Sequence, residues 1–272
     1  MQPVYDFIEE RGDERFLLWF APELPHTPFN ARARYHESYR GKGYAQLAVK
    51  YYANISWLDD VVGQLLAFLD ERGLRERTLV VFVSDNGWDQ PPDSQAEASG
   101  DKLDGPRGKG SMHELGFRTP IVMSWPGQVP AGQRSDALVS IVDLFPTFLD
   151  YAGAPPVEGL PGESLRPLLE GRSEWQRTEL LGSMRNPGRT TPLPGALLGE
   201  PPNERAYFVR TADWRYIWFE TSDEEFLYAI ASDPGEESDV VQAHPEVATD
   251  MRSRIVKWRE RMLQSLPRRD DG

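Results

Sequence analysis

Asp85 and Asn86 follow directly on an apolar run, Thr78-Leu-Val-Val-Phe-Val-Ser84, and are closed by Gly87. Two oxygen-bearing side chains at the C-terminal end of a buried strand suit a hard divalent cation such as Ca²⁺ or Mg²⁺. Further on, Lys109 stands in Gly108-Lys-Gly-Ser-Met-His-Glu-Leu-Gly-Phe-Arg-Thr-Pro120. A lysine on a glycine-rich turn suits an anionic group held beside such a metal. Taken alone, Asp-Asn after a strand is an ordinary turn, and a single lysine is a solvated one. Their joint occurrence favours metal-assisted chemistry on an anionic ester. Trp88, next to the metal pair, is placed to line a substrate cleft.

Such a site needs elements to position it. Residues 4–11 pattern as a helix end, and Phe16-Leu-Leu-Trp-Phe20 as a short strand buried on both faces. A Pro-rich loop with His26 follows. Leu47, Tyr51, Ile55, Leu58, Val62, Leu65 and Leu69 recur at three and four across 43–72, an amphipathic helix with Gly73 as its C-cap. Strands are expected at 78–84 and 120–125, and an apolar run covers 137–149. This order implies an α/β fold with a mainly parallel sheet flanked by helices. Ligands of such sheets sit at the carboxyl ends of the strands, which is where His26, Asp85, Asn86 and Lys109 fall. Residues 171–205 read as connector. Ala206–Thr211 and Trp214–Phe219 read as a hairpin, Phe226–Ile230 as a third strand, and 245–265 as a terminal helix with Val247, Met251, Ile255, Trp258 and Met262 on one face. A small C-terminal antiparallel sheet with a terminal helix is therefore expected over 206–272.

Composition bounds the functions. The 272 residues carry 30 Lys plus Arg against 43 Asp plus Glu, a net charge of −13, which argues against nucleic acid as a partner. No cysteine is present, which removes thiolate ligands and a cysteine nucleophile from this chain. No apolar stretch approaches the roughly 20 residues that span a bilayer. Met1–Glu10 has neither a basic leader nor a signal-peptide core. That fits a cytoplasmic protein, or a periplasmic or secreted one whose signal segment lies upstream.

Several segments, in this order, resemble the sulfatases of the alkaline-phosphatase-like superfamily. They are Phe16–Phe20 with Pro25-His-Thr-Pro28, Leu58-Asp-Asp-Val-Val-Gly63, Val83-Ser-Asp-Asn-Gly87, Gly108-Lys-Gly-Ser111 with Glu114, Gly116, Arg118 and Pro120, Trp125-Pro-Gly127, Val142–Thr147 and Gly162–Leu169. Leu227-Tyr228 with Asp233-Pro-Gly-Glu236 resembles the family's C-terminal subdomain. The resemblance implies that residues 1–170 are a partial catalytic domain, the downstream part of a full sulfatase. It implies hydrolysis of sulfate esters by a formylglycine made within a Cys/Ser-x-Pro-x-Arg motif, with a divalent cation, Ca²⁺ ahead of Mg²⁺, on the sulfate oxygens. It gives Asp85 and Asn86 half of the metal site, Lys109 a sulfate contact, and His26 a place near the ester oxygen. Glu114 and Arg118 are expected to pair and fix the turn after Lys109.

The departure lies upstream. The chain is expected to hold no Cys/Ser-x-Pro-x-Arg segment anywhere, Ser164-Leu-Arg-Pro167 having the wrong order; the family's paired N-terminal aspartates are missing, and Asp59–Asp60 falls mid-helix. No nucleophile or formylglycine is expected in this chain, whose site would be completed by an N-terminal segment or a second chain. The expected ligand is a sulfated small molecule or carbohydrate. Two alternatives stay open: a non-catalytic remnant that binds sulfated ligands, and a phosphonate or phosphodiester hydrolase of the same superfamily.

Overall fold

The computed structural model describes residues 1–87, 107–172, 175–185 and 204–265. They fall into two compact units. One holds Met1–Val80 with Trp125–Gly127; the other holds the described parts of 81–90, 104–124 and 128–272.

In the first unit, α1 (Gln2–Arg11), α2 (Ala33–Glu37) and α3 (Gln46–Glu71) are followed by a 3₁₀ turn at Arg75–Arg77. α3 ends as its sequence implies. Gly73 takes φ of 65°, and the Leu74 amide donates back to the Leu69 carbonyl at 2.8 Å. The core gathers Ile8, Phe68 and Leu69, with Val4, Phe16, Leu18 and Val80 packed against it. The buried stripe of α3 runs through Ala48, Ala53, Asn54, Phe68 and Leu69. Leu47 and Ile55, expected on that stripe, stay exposed. Asp60 lies within α3 and binds Arg34 Nη2 at 2.7 Å and the Tyr35 hydroxyl at 2.5 Å, an ordinary structural role.

Phe16–Phe20 departs from its expectation as a strand buried on both faces. Phe16 and Leu18 turn into the core, whereas Leu17 is 71% and Trp19 90% exposed. The segment alternates like a strand but joins no ladder among the described residues. A continuous apolar run says that both faces can be buried; it does not supply the neighbours that bury them.

The second unit carries β1 (Val80–Val83, entered from the first), α4 (Glu114–Phe117), β2 (Ile121–Ser124), α5 (Leu144–Ala152) and α6 (Arg166–Leu169). β1 and β2 pair. A 3₁₀ turn at Ile141–Asp143 leads into α5 through a capping box between Ser140 and Asp143. Asp143 is fully buried and takes a bidentate pair from Arg177 at 2.5 and 2.7 Å, which raises the Arg177 pKa.

Next come β3 (Glu179–Arg185), β4 (Arg205–Thr211), β5 (Arg215–Phe219), β6 (Glu225–Tyr228) and α7 (Pro245–Ser265). The strands form one antiparallel sheet in the order β3-β4-β5-β6. Expected connector at 179–185 is thus a strand, paired with β4 from Glu179↔Thr211 to Arg185↔Arg205. Its central Gly182 reads as a breaker, yet a Cβ there would lie 2.5 Å from the Phe208 ring. The glycine makes room for the cross-strand aromatic.

The sheet is buried on both faces. Tyr207, Val209, Tyr216, Trp218 and Leu227 face α7, where Ala248, Met251 and Ile255 complete the core. Ala206, Phe208, Ile217, Phe219 and Tyr228 face the other way and pack on Met112 and Phe117. Two-residue periodicity sorts each strand onto these two layers. The second layer is the one that matters for the site, because Met112 and Phe117 flank the turn that follows Lys109.

Candidate functional site

The Asp85–Asn86 strand end and the Lys109 turn lie in the same unit and are stitched together by backbone. The Gly87 amide donates to the Gly116 carbonyl at 3.0 Å. A Cβ on Gly87 would sit 2.0 Å from the Leu115 carbonyl oxygen. A Cβ on Gly116 would sit 2.6 Å from the Gly108 carbonyl oxygen and 2.8 Å from that of Ser111. The Thr119 hydroxyl donates to the Ser84 carbonyl at 3.0 Å, and the Ser111 amide to the Gly108 carbonyl at 3.0 Å. Only glycine permits this approach of three backbone segments. Asp85 and Lys109 are exposed at the resulting edge, and Asn86 is half-buried.

The Lys109 turn is anchored on both sides. Arg107 Nη1 donates to the Gly235 carbonyl at 2.9 Å. Arg215 Nη2 donates to the Met112 carbonyl at 2.6 Å, and the Glu114 amide donates to Glu236 Oε2 at 2.7 Å. The Glu114 carboxylate accepts from Arg210 Nε at 3.2 Å and from Arg215 Nη1 at 3.5 Å. Glu114 was expected to pair with Arg118. Instead Arg118 is exposed and meets Glu114 through the backbone, its amide donating to the Glu114 carbonyl at 2.7 Å. The partners of Glu114 come from β4 and β5, some hundred positions away, and local spacing could not reveal them.

Glu236, which ends the Asp233-Pro-Gly-Glu236 segment, is 1% exposed. His113 Nδ1 lies 3.3 Å from its Oε2. Arg215 is equally buried, its guanidinium 3.9 Å from the Phe208 ring centroid. Burial lowers the Arg215 pKa, and the Glu114 and Glu236 carboxylates work against that fall. Asp233 and Asp239 do cap local amides, at Glu237, Ser238, Leu227 and Val241.

His26 belongs to the first unit, on an exposed loop. The loop is held by Asn54, which is fully buried in α3. Asn54 Nδ2 faces the carbonyls of Pro25, His26 and Pro28 at 3.4, 3.3 and 3.5 Å, and its Oδ1 accepts from the Ala31 amide at 3.0 Å. Asn54 was missed because it lies among apolar residues. A lone amide inside an otherwise apolar helical stripe is the available signal. Trp88 lies outside the described residues.

Asp85 and Asn86 offer two oxygen donors of a type that fits a hard cation, short of the six to eight that Ca²⁺ takes. No group of three or more His, Cys, Asp or Glu residues is assembled for a metal among the described residues. A literal Ser-x-Pro-x-Arg string does occur, Ser265-Leu-Pro-Arg-Arg269, against the expectation that the chain holds none. It begins at the last residue of α7, far downstream of the metal pair. No helix among the described residues is long and apolar enough to cross a membrane.

The family model for sulfatases matches residues 1–154, more than half of the chain. The chain belongs to the sulfatase family. Dog arylsulfatase K (Canis lupus familiaris) is 30% identical over 207 residues, 75% of this chain and 35% of that protein. The crystal structure of Ps i-CgsB superposes with a TM-score of 0.75 at 25% identity, over 94% of this chain and 53% of that one. The structure of BT4656 in complex with its substrate D-glucosamine-2-N,6-O-disulfate superposes with a TM-score of 0.62 at 23% identity, over 88% of this chain and 47% of that one. The fold is that of the sulfatases, alkaline-phosphatase-like. The chain spans about a third of the length of the curated relatives it matches. The family match ends well before Ser265, so the late Ser-x-Pro-x-Arg string has no counterpart in the matched region.

Proposed function

We propose that this chain is the downstream part of a sulfuric ester hydrolase and carries its anion-binding turn together with half of its metal site. Lys109 contacts the sulfate and offsets charge that develops on its oxygens. Asp85 and Asn86 would hold the divalent cation, Ca²⁺ ahead of Mg²⁺, which when bound polarises the ester for attack. His26 donates to the leaving oxygen or to the sulfate. Trp88 borders the substrate. The attacking group comes from outside this chain. The substrate class is a sulfated carbohydrate or small molecule, a reading supported by the disulfated glucosamine that BT4656 holds as its substrate.

The observation that carries this reading is the stitching of Gly87, Gly108 and Gly116, which tethers a strand end bearing two oxygen donors to a turn bearing an exposed lysine. The test is a titration of the ¹⁵N-labelled chain with inorganic sulfate, and separately phosphate, in the presence of Ca²⁺. Sulfate should shift the Lys109 and Gly110 amide resonances, and Lys109→Ala should abolish the response. Equal binding by wild type and Lys109→Ala would sink the assignment. A phosphate response clearly stronger than the sulfate one would favour the phosphonate or phosphodiester alternative.

A further inference from the structure

Lys109 and Gly110 are exposed, yet the residues on either side of them are held in place. Gly108, Ser111, Met112 and Glu114 are all buried. Gly108 and Ser111 are held by their mutual backbone bond, whereas Arg107, Met112 and Glu114 are held from the C-terminal sheet and the turn after it, by the Gly235 carbonyl, Arg215 and Glu236.

The arrangement is charged where packing alone would have sufficed. Two carboxylates, Glu114 and Glu236, face two guanidiniums, Arg210 and Arg215, at 3.2 to 3.9 Å. Arg215 is fully desolvated. A buried charge network is seldom the most stabilising filling for such a space, because removing the ions from water costs as much as their attraction returns. Each charged group accepts few placements of its partners, so the contacts that are made restrict the backbone they reach. Met112, 1% exposed, packs against Phe208 and Ile217 of the sheet, while Arg215 and Glu236 hold the backbone on either side of His113.

We infer that Glu236 and Arg215 are positioning residues for Lys109: from the C-terminal sheet they set the backbone of 107–114, and through it the point at which the ammonium meets the anion. This inference rests on the reading of Lys109 as the sulfate contact. It assigns the C-terminal sheet a part in anion affinity in addition to its part in stability. Glu236 acts through the Glu114 amide and Arg215 through the Met112 carbonyl; neither is a catalytic residue.

Four variants test it: Glu236→Ala, Glu236→Gln, Lys109→Ala and Ile255→Ala. Gln keeps an acceptor for the Glu114 amide, so it guards against a misfolded Ala variant. Ile255 is buried against the opposite face of the sheet and serves as a purely structural control. Two quantities are read on the whole chain, amide hydrogen exchange at 108–114 and the affinity for inorganic sulfate. Glu236→Ala should speed exchange at 108–114 and weaken sulfate binding about tenfold, the scale of one lost charge-assisted hydrogen bond, with Glu236→Gln, which restores a neutral acceptor, recovering part of both. Ile255→Ala should lower the unfolding midpoint and leave both local readouts unchanged. Unchanged exchange in Glu236→Ala, or an affinity loss matched by Ile255→Ala, overturns the inference. If Lys109→Ala abolishes sulfate binding and Glu236→Ala spares it, the inference falls alone. If neither variant affects binding, the sulfate reading of Lys109 falls, and the link from the sheet to the anion falls with it.

Discussion

The Gly87 amide donates to the Gly116 carbonyl at 3.0 Å, and no side chain fits between them: a Cβ on Gly87 would fall 2.0 Å from the Leu115 carbonyl oxygen. The two candidate halves of the site are joined at this contact. A methyl group there must push backbone aside. Gly87→Ala should cost about 3 kcal/mol, at the upper end of overpacking penalties, and Gly116→Ala a similar amount. Urea unfolding curves check this. A midpoint within error of wild type for either variant would contradict the close approach.

Asn54 should matter more than its position in an apolar stripe suggests. Asn54→Ala strands the Ala31 amide and removes the only side-chain amide facing the Pro25, His26 and Pro28 carbonyls among the described residues. The expected loss is about 1 kcal/mol, since the backbone groups left unpaired are part-buried. Exchange at the Ala31 amide should also accelerate. A stable variant with unchanged exchange would mean that the His26 loop is held by something else.

Asp150 gives a pH dependence with a definite sign. The Ser164 hydroxyl donates to its Oδ2 at 2.7 Å and Arg166 Nη1 to its Oδ1 at 3.0 Å, and these contacts lower the Asp150 pKa. A depressed carboxylate stabilises the fold above its unfolded pKa of about 3.9 and loses that contribution as pH falls through the folded value. The stability gap between wild type and Asp150→Asn should therefore be constant above roughly pH 5 and shrink below about 4. Asp150 is 38% exposed, so solvent screening keeps the gap small. A gap that persists undiminished at the lowest accessible pH would contradict the assignment.

The purified 272-residue chain should hydrolyse neither aryl sulfates nor aryl phosphodiesters above background, because the account assigns it no covalent nucleophile. Ser265→Ala should change nothing. Turnover by wild type that disappears in Ser265→Ala would make the late Ser-x-Pro-x-Arg string functional and reverse this reading.

What was legible in the sequence was mostly local. The 3.6-residue stripe and Gly73 placed α3, and alternation placed the β4–β5 hairpin and β6 within a residue or two. β3 was hidden by the loop signals that follow it, Asn186-Pro-Gly188 and Thr191-Pro-Leu-Pro-Gly195, and its Gly182 makes sense only opposite Phe208. Phe16–Phe20 reads as doubly buried because apolarity records what a segment can bury and not what covers it. In the site, the residue types at Asp85, Asn86, Lys109 and His26 were visible from sequence. Asn54, Arg210 and Arg215 were not, since each works on a segment distant in the chain, and Glu236 was visible only as part of a resembling segment, without its bond to the Glu114 amide.

The central claim is that Asp85 and Asn86 offer a cation site beside the Lys109 turn. Two ligands bind weakly, so the direct measurement is paramagnetic broadening of the ¹⁵N-labelled chain by substoichiometric Mn²⁺, standing in for Ca²⁺ or Mg²⁺. The account predicts selective loss of the Asn86, Gly87 and Gly110 amide signals, recovered by excess Ca²⁺ and absent in Asp85→Ala. Broadening scattered over other acidic surface, or unchanged by Asp85→Ala, would contradict it.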